Sequence, residues 1–249
     1  MSKLFKNNAM RFILLLLIFV STNIVSASTN SELASAANKG NFSLVKKILD
    51  SKSTEQEELN AAFWEAIQKG NAAIIEQFLQ AGVDVNLRAN NNYTPLIQSA
   101  RDGRDQVVEI LLAAGADVNA VAEENDTALI LASEKNRRNV VALLLAANAN
   151  VNAKRSNGMT ALLLAAQEGY QQIIQALVSA KADVNYQLEN GATALMLAAQ
   201  HGHLGAAHSL IAANADLNRK ANNGMTALML ANLYRHKEVT DLLSKSGAR

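Results

Sequence analysis

Apolar positions along this chain fall in short runs that return every 33 residues. Val107, Val108, Ile110, Leu111 and Leu112 reappear as Val140, Val141, Leu143, Leu144 and Leu145. That spacing lays one apolar face along a helix. A shorter run precedes each of these, carried by Leu96, Ala100 and their equivalents, again at helical spacing. Between the two runs stands Gly103, Gly169 or Gly202, a residue free to turn with positive φ. Gly82 or Gly115 then ends a second run as a helix C-cap. The Asp/Asn-rich stretch that follows is turn chemistry. The pattern predicts helix, turn, helix and loop, repeated.

Polar markers keep the same period. Thr94, Thr127, Thr160, Thr193 and Thr226 form one ladder; Asn86, Asn119, Asn152, Asn185 and Asn218 form another. Each Thr opens an apolar run, where its hydroxyl can accept from a backbone N–H two or three residues on. Pro95 follows Thr94 at the position where a helix tolerates Pro best. The strings are Thr-Pro-Leu-Ile at 94–97, Thr-Ala-Leu-Ile at 127–130, Thr-Ala-Leu-Leu at 160–163, and Thr-Ala-Leu-Met at 193–196 and 226–229.

A 33-residue unit with such a string resembles the ankyrin repeat. The resemblance covers about residues 31–249. It implies an all-α solenoid of about seven helix-turn-helix repeats with short hairpin-like loops. The repeats lie near 31–58, 59–91, 92–124, 125–157, 158–190, 191–223 and 224–249. Two features depart from the family. Ala replaces Pro in four of the five strings, and the motif His is replaced by Ile97, Ile130, Leu163, Met196 and Met229. The Thr–His contact should be absent, with that position packing as plain apolar surface. The second repeat has Ala61 at the Thr position, and Phe63 and Trp64 there read as core. The first repeat lacks the loop string, and a charged linker from Ser51 to Glu58 stands instead. The last helix carries Lys237, Glu238, Asp241 and Lys245. Polar terminal repeats keep a solenoid soluble. The repeat from Thr193 is underpacked, with Ala206, Ala207 and Ser209 where others have Val, Ile or Leu.

Residues 1–27 are different. Lys3, Lys6 and Arg11 lead into nine unbroken apolar residues, Phe12 to Val20, and then Val25-Ser26-Ala27. This is the three-part secretory signal pattern, with cleavage expected after Ala27. The rival reading is a membrane anchor, but a spanning helix needs about 20 apolar residues. Removing the leader takes three positive charges from a net +1. With no Cys in its 249 residues, the chain excludes disulfide scaffolds, thiol catalysis and Cys-ligated metal centres. No lipid-modified Cys follows the cleavage site. A leader without disulfides points to the bacterial periplasm or secretion beyond it. Near-neutral charge argues against a nucleic-acid binder, and no membrane insertion is expected after cleavage.

No Ser-His-Asp order, phosphate loop, dinucleotide fingerprint or His-rich metal motif is present. The chain is therefore expected not to be an enzyme and to hold no cofactor or metal. Of the four His, His203 and His236 follow an inter-helix turn and read as capping or surface residues. Glu123, Glu124 and Asp126, with Glu134 below them, form the most acidic loop. They read either as a solvated loop or as an acidic centre facing a basic partner patch.

The resemblance implies binding to another protein through a concave face, by a chain expected to be a monomer. In the family, contacts come from the loop tips before each Thr and from the end of each first helix. By position these are Arg88, Asn90, Tyr93, Glu123, Glu124, Asp126, Lys154, Met159, Gln187, Glu189 and Met225 at the tips. At the helix ends they are Arg101, Asp102, Glu134, Lys135, Gln167, Glu168, Gln200, His201 and Tyr234. Tyr and Arg dominate interface energetics, so Tyr93 and Arg101 are the expected anchor pair. Met159 and Met225 have no core to fill at a tip; they read equally as ordinary exposed Met or as contacts. Three roles fit: an interaction module in the periplasm, an inhibitor or protective partner of an envelope enzyme, or an exported effector that binds host proteins.

Overall fold

The computed structural model describes residues 32–51 and 54–249. The expected leader, residues 1–27, lies outside the described residues. Among the described residues there are fourteen α-helices and no strand. They pair in chain order: α1 (Glu32–Asn38) with α2 (Phe42–Asp50), α3 (Gln56–Lys69) with α4 (Ala72–Gln80), and α5 (Pro95–Asp102) with α6 (Asp105–Ala113). Next come α7 (Ala128–Glu134) with α8 (Arg138–Ala146), and α9 (Ala161–Gln167) with α10 (Gln171–Ser179). The last pairs are α11 (Ala194–Gln200) with α12 (Leu204–Ala212), and α13 (Ala227–Leu233) with α14 (Lys237–Lys245). First helices pack on first helices and second on second, so a two-layered solenoid results.

The first helices of the third to seventh pairs start where their Thr predicts. Thr94, Thr127, Thr160 and Thr193 accept from the backbone N–H three residues on at 3.2–3.3 Å, and Thr226 at 3.4 Å. All five Thr are buried. Gly169 turns the chain between α9 and α10 with φ 75°, and a Cβ there would stand 2.6 Å from Nδ1 of His203. At the end of the second helices Gly82 and Gly115 take positive φ, but Asn148, Lys181 and Asn214 hold the same turn without Gly.

The Asn ladder ties one repeat to the next. Oδ1 of Asn119 accepts from the amide of Asn150 at 2.7 Å, and Asn86, Asn152, Asn185 and Asn218 make the equivalent bond to Asp117, Asp183, Asp216 and Arg249.

Three expectations change. First, α3 begins at Gln56, not near Ala61, and takes Glu57 and Glu58 from the expected linker. Two carboxylates in a first turn favour the positive end of the helix dipole. Phe63 and Trp64 are core as expected, Phe63 meeting Phe78 edge-on at 5.9 Å. Second, the motif-His position is not surface. Ile97, Ile130, Leu163 and Met196 are buried, because the next first helix covers them. Third, the last pair is only half polar. The charged residues of α14 face solvent, but α13 exposes Met229, Leu233 and Tyr234.

Candidate functional site

Loop tips and first-helix ends meet on one surface. It carries a cleft of about 460 Å³ at the third and fourth pairs. Loop residues Tyr93, Glu124, Asp126, Arg155 and Asn157 line it together with Arg101, Leu131, Glu134 and Lys135 from the ends of α5 and α7. Tyr93 is held half-buried against the core by the loop that ends at Thr94. Its ring lies 5.3 Å from the Arg101 guanidinium carbon, a cation–π distance. Gln98 and Asp102 also hold that guanidinium, at 3.2 and 3.5 Å.

Arg155 is the residue that position alone does not single out. Its guanidinium donates to Asp126 and to Glu134, each at 2.5 Å, and all three side chains are largely shielded. Lys135 adds a bond to Glu134 at 3.1 Å. Burial raises the Asp126 carboxyl above its ordinary range, although Arg155 pulls the other way. At Glu134 burial also pushes upward, but Arg155 and Lys135 outweigh it and hold that carboxyl low. Burial would lower Arg155; its two carboxylates raise it instead, so it stays charged. The acidic loop is therefore not one acidic centre. Asp126 and Glu134 are neutralised from within, and Glu123 and Glu124 project as exposed carboxylates.

The remaining candidates divide. Arg88 donates to the carbonyls of Asn92 and Val121 at 3.1 and 2.9 Å, so its charge braces two neighbouring loops. Met159 does meet the core at its loop tip, packing half-buried against it as Tyr93 does. Met225 is also half-buried. Gln167 bonds Glu168 at 3.1 Å, and the carbonyls of Gln167 and Gln200 accept from Nε2 of His203 and His236, both at 2.9 Å. A carbonyl only accepts, so Nε2 carries the proton in both rings. His201 stacks on His203 at 6.0 Å, and Tyr234 on His236 at 6.5 Å. Lys154 lies over the ring of Tyr186 at 4.1 Å. Gln167, Glu168, Gln200, His201, Met225 and Tyr234 stand outside the cleft, as do Arg88, Asp102, Glu123 and Met159.

The cleft holds three cations and three carboxylates around an aromatic ring. Among the described residues no cluster of three or more His, Asp or Glu could hold a metal ion. No described helix is long and apolar enough to cross a membrane.

Comparison with known families agrees with this architecture. The family described as ankyrin repeats (three copies) matches residues 33–122, 115–188 and 180–249. No curated protein matches the chain. The Thr-capped first helices, the turn before each second helix and the Asn-bound loops are the parts of one repeating unit, and the chain belongs to the ankyrin-repeat family.

Proposed function

We propose that this chain is a non-catalytic binding protein of the bacterial periplasm, docking a partner protein on the cleft around Tyr93 and Arg101. Ankyrin repeats generally mediate protein–protein interaction, which supplies the coarse reading. The single observation that carries the finer one is the Tyr93–Arg101 pair. An aromatic ring and a guanidinium line one cleft together, the guanidinium already held by Gln98. Side chains ordered before binding lose less entropy when a partner arrives. The exposed Glu123 and Glu124 beside them favour a partner that presents basic residues. The periplasmic address is carried by the leader pattern of residues 1–27.

The test has two parts. Expression in a bacterium with residues 1–27 in place, followed by intact mass, should show a chain beginning at Ser28. An unprocessed cytoplasmic chain would refute the address. Affinity capture from periplasmic extract with that protein, against a bait carrying Tyr93→Ala and Arg101→Ala, should yield one dominant protein lost with the double variant. An unchanged catch would place the binding surface elsewhere. If the captured protein is an enzyme, its activity with and without bait separates inhibition from scaffolding.

A further inference from the structure

We infer that Asn157 is a modification site, where the side-chain amide is lost spontaneously and the cleft gains a carboxylate. The chain carries Asn-Gly pairs at 157–158, 190–191 and 223–224, each in the loop tip before a Thr. Gly has no Cβ to keep its backbone nitrogen away from the Asn side chain. Once it gives up its proton, the Gly158 nitrogen attacks Cγ of Asn157. A C–N bond forms, the side-chain amide leaves as ammonia, and a succinimide ring remains. Water then opens that ring at either carbonyl, giving aspartate or isoaspartate. The only co-reactant is water.

The fold decides which pair reacts. All three tips hold the same turn. Oδ1 of Asn157, Asn190 and Asn223 accepts from the amide two residues on, at 3.0, 3.0 and 3.1 Å. The amides of Gly158, Gly191 and Gly224 donate to the carbonyls of Arg155, Leu188 and Ala221, each at 2.8 Å. A nitrogen whose N–H is bound is not free to attack, so the reaction waits until the tip opens.

The tip at Asn190 is braced against opening. Nε2 of Gln187 donates to the carbonyls of Gly191 and Lys220, at 2.8 and 3.2 Å. Asn222 donates its backbone amide to the Asn190 carbonyl at 3.0 Å and its side-chain amide to that of Glu189 at 2.8 Å. Gly191 is buried, and a Cβ on it would stand 2.8 Å from Ala221 and Asn222. Among the described residues the tip at Asn157 has no such braces. Lys154 stands in the place of Gln187 and lies over the Tyr186 ring instead. Glu189 stands in the place of Asn222 and makes no bond to the Asn157 carbonyl. Gly158 is half-buried, and a Cβ on it would meet side chains alone, Leu188 at 3.3 Å and Tyr186 at 3.4 Å.

Asn157 is exposed and lines the cleft with Arg155 and Glu124. The reaction therefore adds a negative charge there. Isoaspartate also inserts a methylene into the backbone of the tip, which shifts the register of the bond between Gly158 and Arg155. The modification is read on the chain itself; its effect on docking rests on the partner surface proposed above.

Ageing the folded chain in warm, mildly alkaline buffer, followed by peptide mapping, tests this. The expected result is conversion of Asn157 to the acid, with isoaspartate among the products, at least about fivefold faster than at Asn190, the weight of one hydrogen bond in the opening step. Gln187→Ala together with Asn222→Ala should speed conversion at Asn190 by a similar factor and leave Asn157 unchanged. An intact Asn157, after the same chain unfolded in guanidinium has converted, would overturn the proposal. So would conversion at Asn190 that matches or outpaces Asn157, or a rate at Asn190 that ignores the loss of its braces.

Discussion

Arg155 and Glu134 are 21 residues apart in sequence and 2.5 Å apart in space. The contact joins a loop tip to the end of a helix in the preceding pair, and it pulls Asp126 into the same cluster. One guanidinium thus ties together the acidic side of the cleft that Tyr93 and Arg101 also line.

The two carboxylates should respond to pH with opposite signs. Glu134 is held low in the folded chain, so its contribution is present above the ordinary Glu range and is lost as pH falls through its folded value. Asp126 is held high, so folding favours its protonated form and stability gains as pH falls through that range. Glu134→Gln should cost about 1 kcal/mol at pH 7, and the deficit should close below about pH 4. Asp126→Asn should cost less at pH 7, with a deficit that grows on acidification. Urea midpoints of the three proteins from pH 3 to 8 check this; equal and parallel losses would mean that the two carboxylates are equivalent.

The Asn ladder is a chain of bonds between repeats, not within them. Asn119→Ala should leave the Asn150 amide to water and cost about 1 kcal/mol. Asn119→Asp keeps an acceptor and should cost less. The reading is specific, because a turn residue that served only its own loop would disturb Asn119 and Asn150 independently. In a double-mutant cycle with Asn150→Pro, which removes the donor, the two losses should fall short of additivity.

Two hydroxyls are buried without a partner, Ser99 on α5 and Ser133 on α7. At Ser99 the equivalent positions are Ala132, Ala165, Ala198 and Ala231; at Ser133 they include Ala100, Ala166 and Ala199. A buried hydroxyl with no hydrogen bond costs free energy, and Ala fits the same space. Ser99→Ala and Ser133→Ala should each stabilise by about 1 kcal/mol, raising the thermal midpoint by a few degrees. A loss in either would show that the hydroxyl has a partner in solution.

The repeat was legible in the sequence because its signals are local. A Thr before an apolar run, a Gly or Asn at a positive-φ turn and helical apolar spacing each act within a few residues. The start of α3 was not, since no capping side chain marks Glu55 and the helix runs back on acidic first-turn residues alone. Arg155 was missed for a different reason. Its partners, Asp126 and Glu134, become neighbours only when two pairs stack, and their spacings in sequence carry no helical or turn meaning. The same holds for Met159, whose burial depends on the path of its loop over the core. Candidate positions at tips and helix ends were readable, but which of them share a cleft was decided by the stacking.

Unfolding should begin at the C-terminal end. The buried face of α12 offers Ala206, Ala207 and Ser209 where α6 offers Val107, Val108 and Ile110. Buried apolar area stabilises by about 25 cal/mol per Å², so the sixth pair holds its neighbours less firmly than the third. The seventh pair has a covered face on one side only, with Leu233 open to water. In a solenoid each pair depends on its nearest neighbours, and a weak layer next to an open end frays as a unit. Amide hydrogen exchange should show α12, α13 and α14 exchanging before α5 to α10 by about tenfold or more. First exchange at α3 to α6 would mean that the deletion of apolar volume in α12 is offset by packing elsewhere.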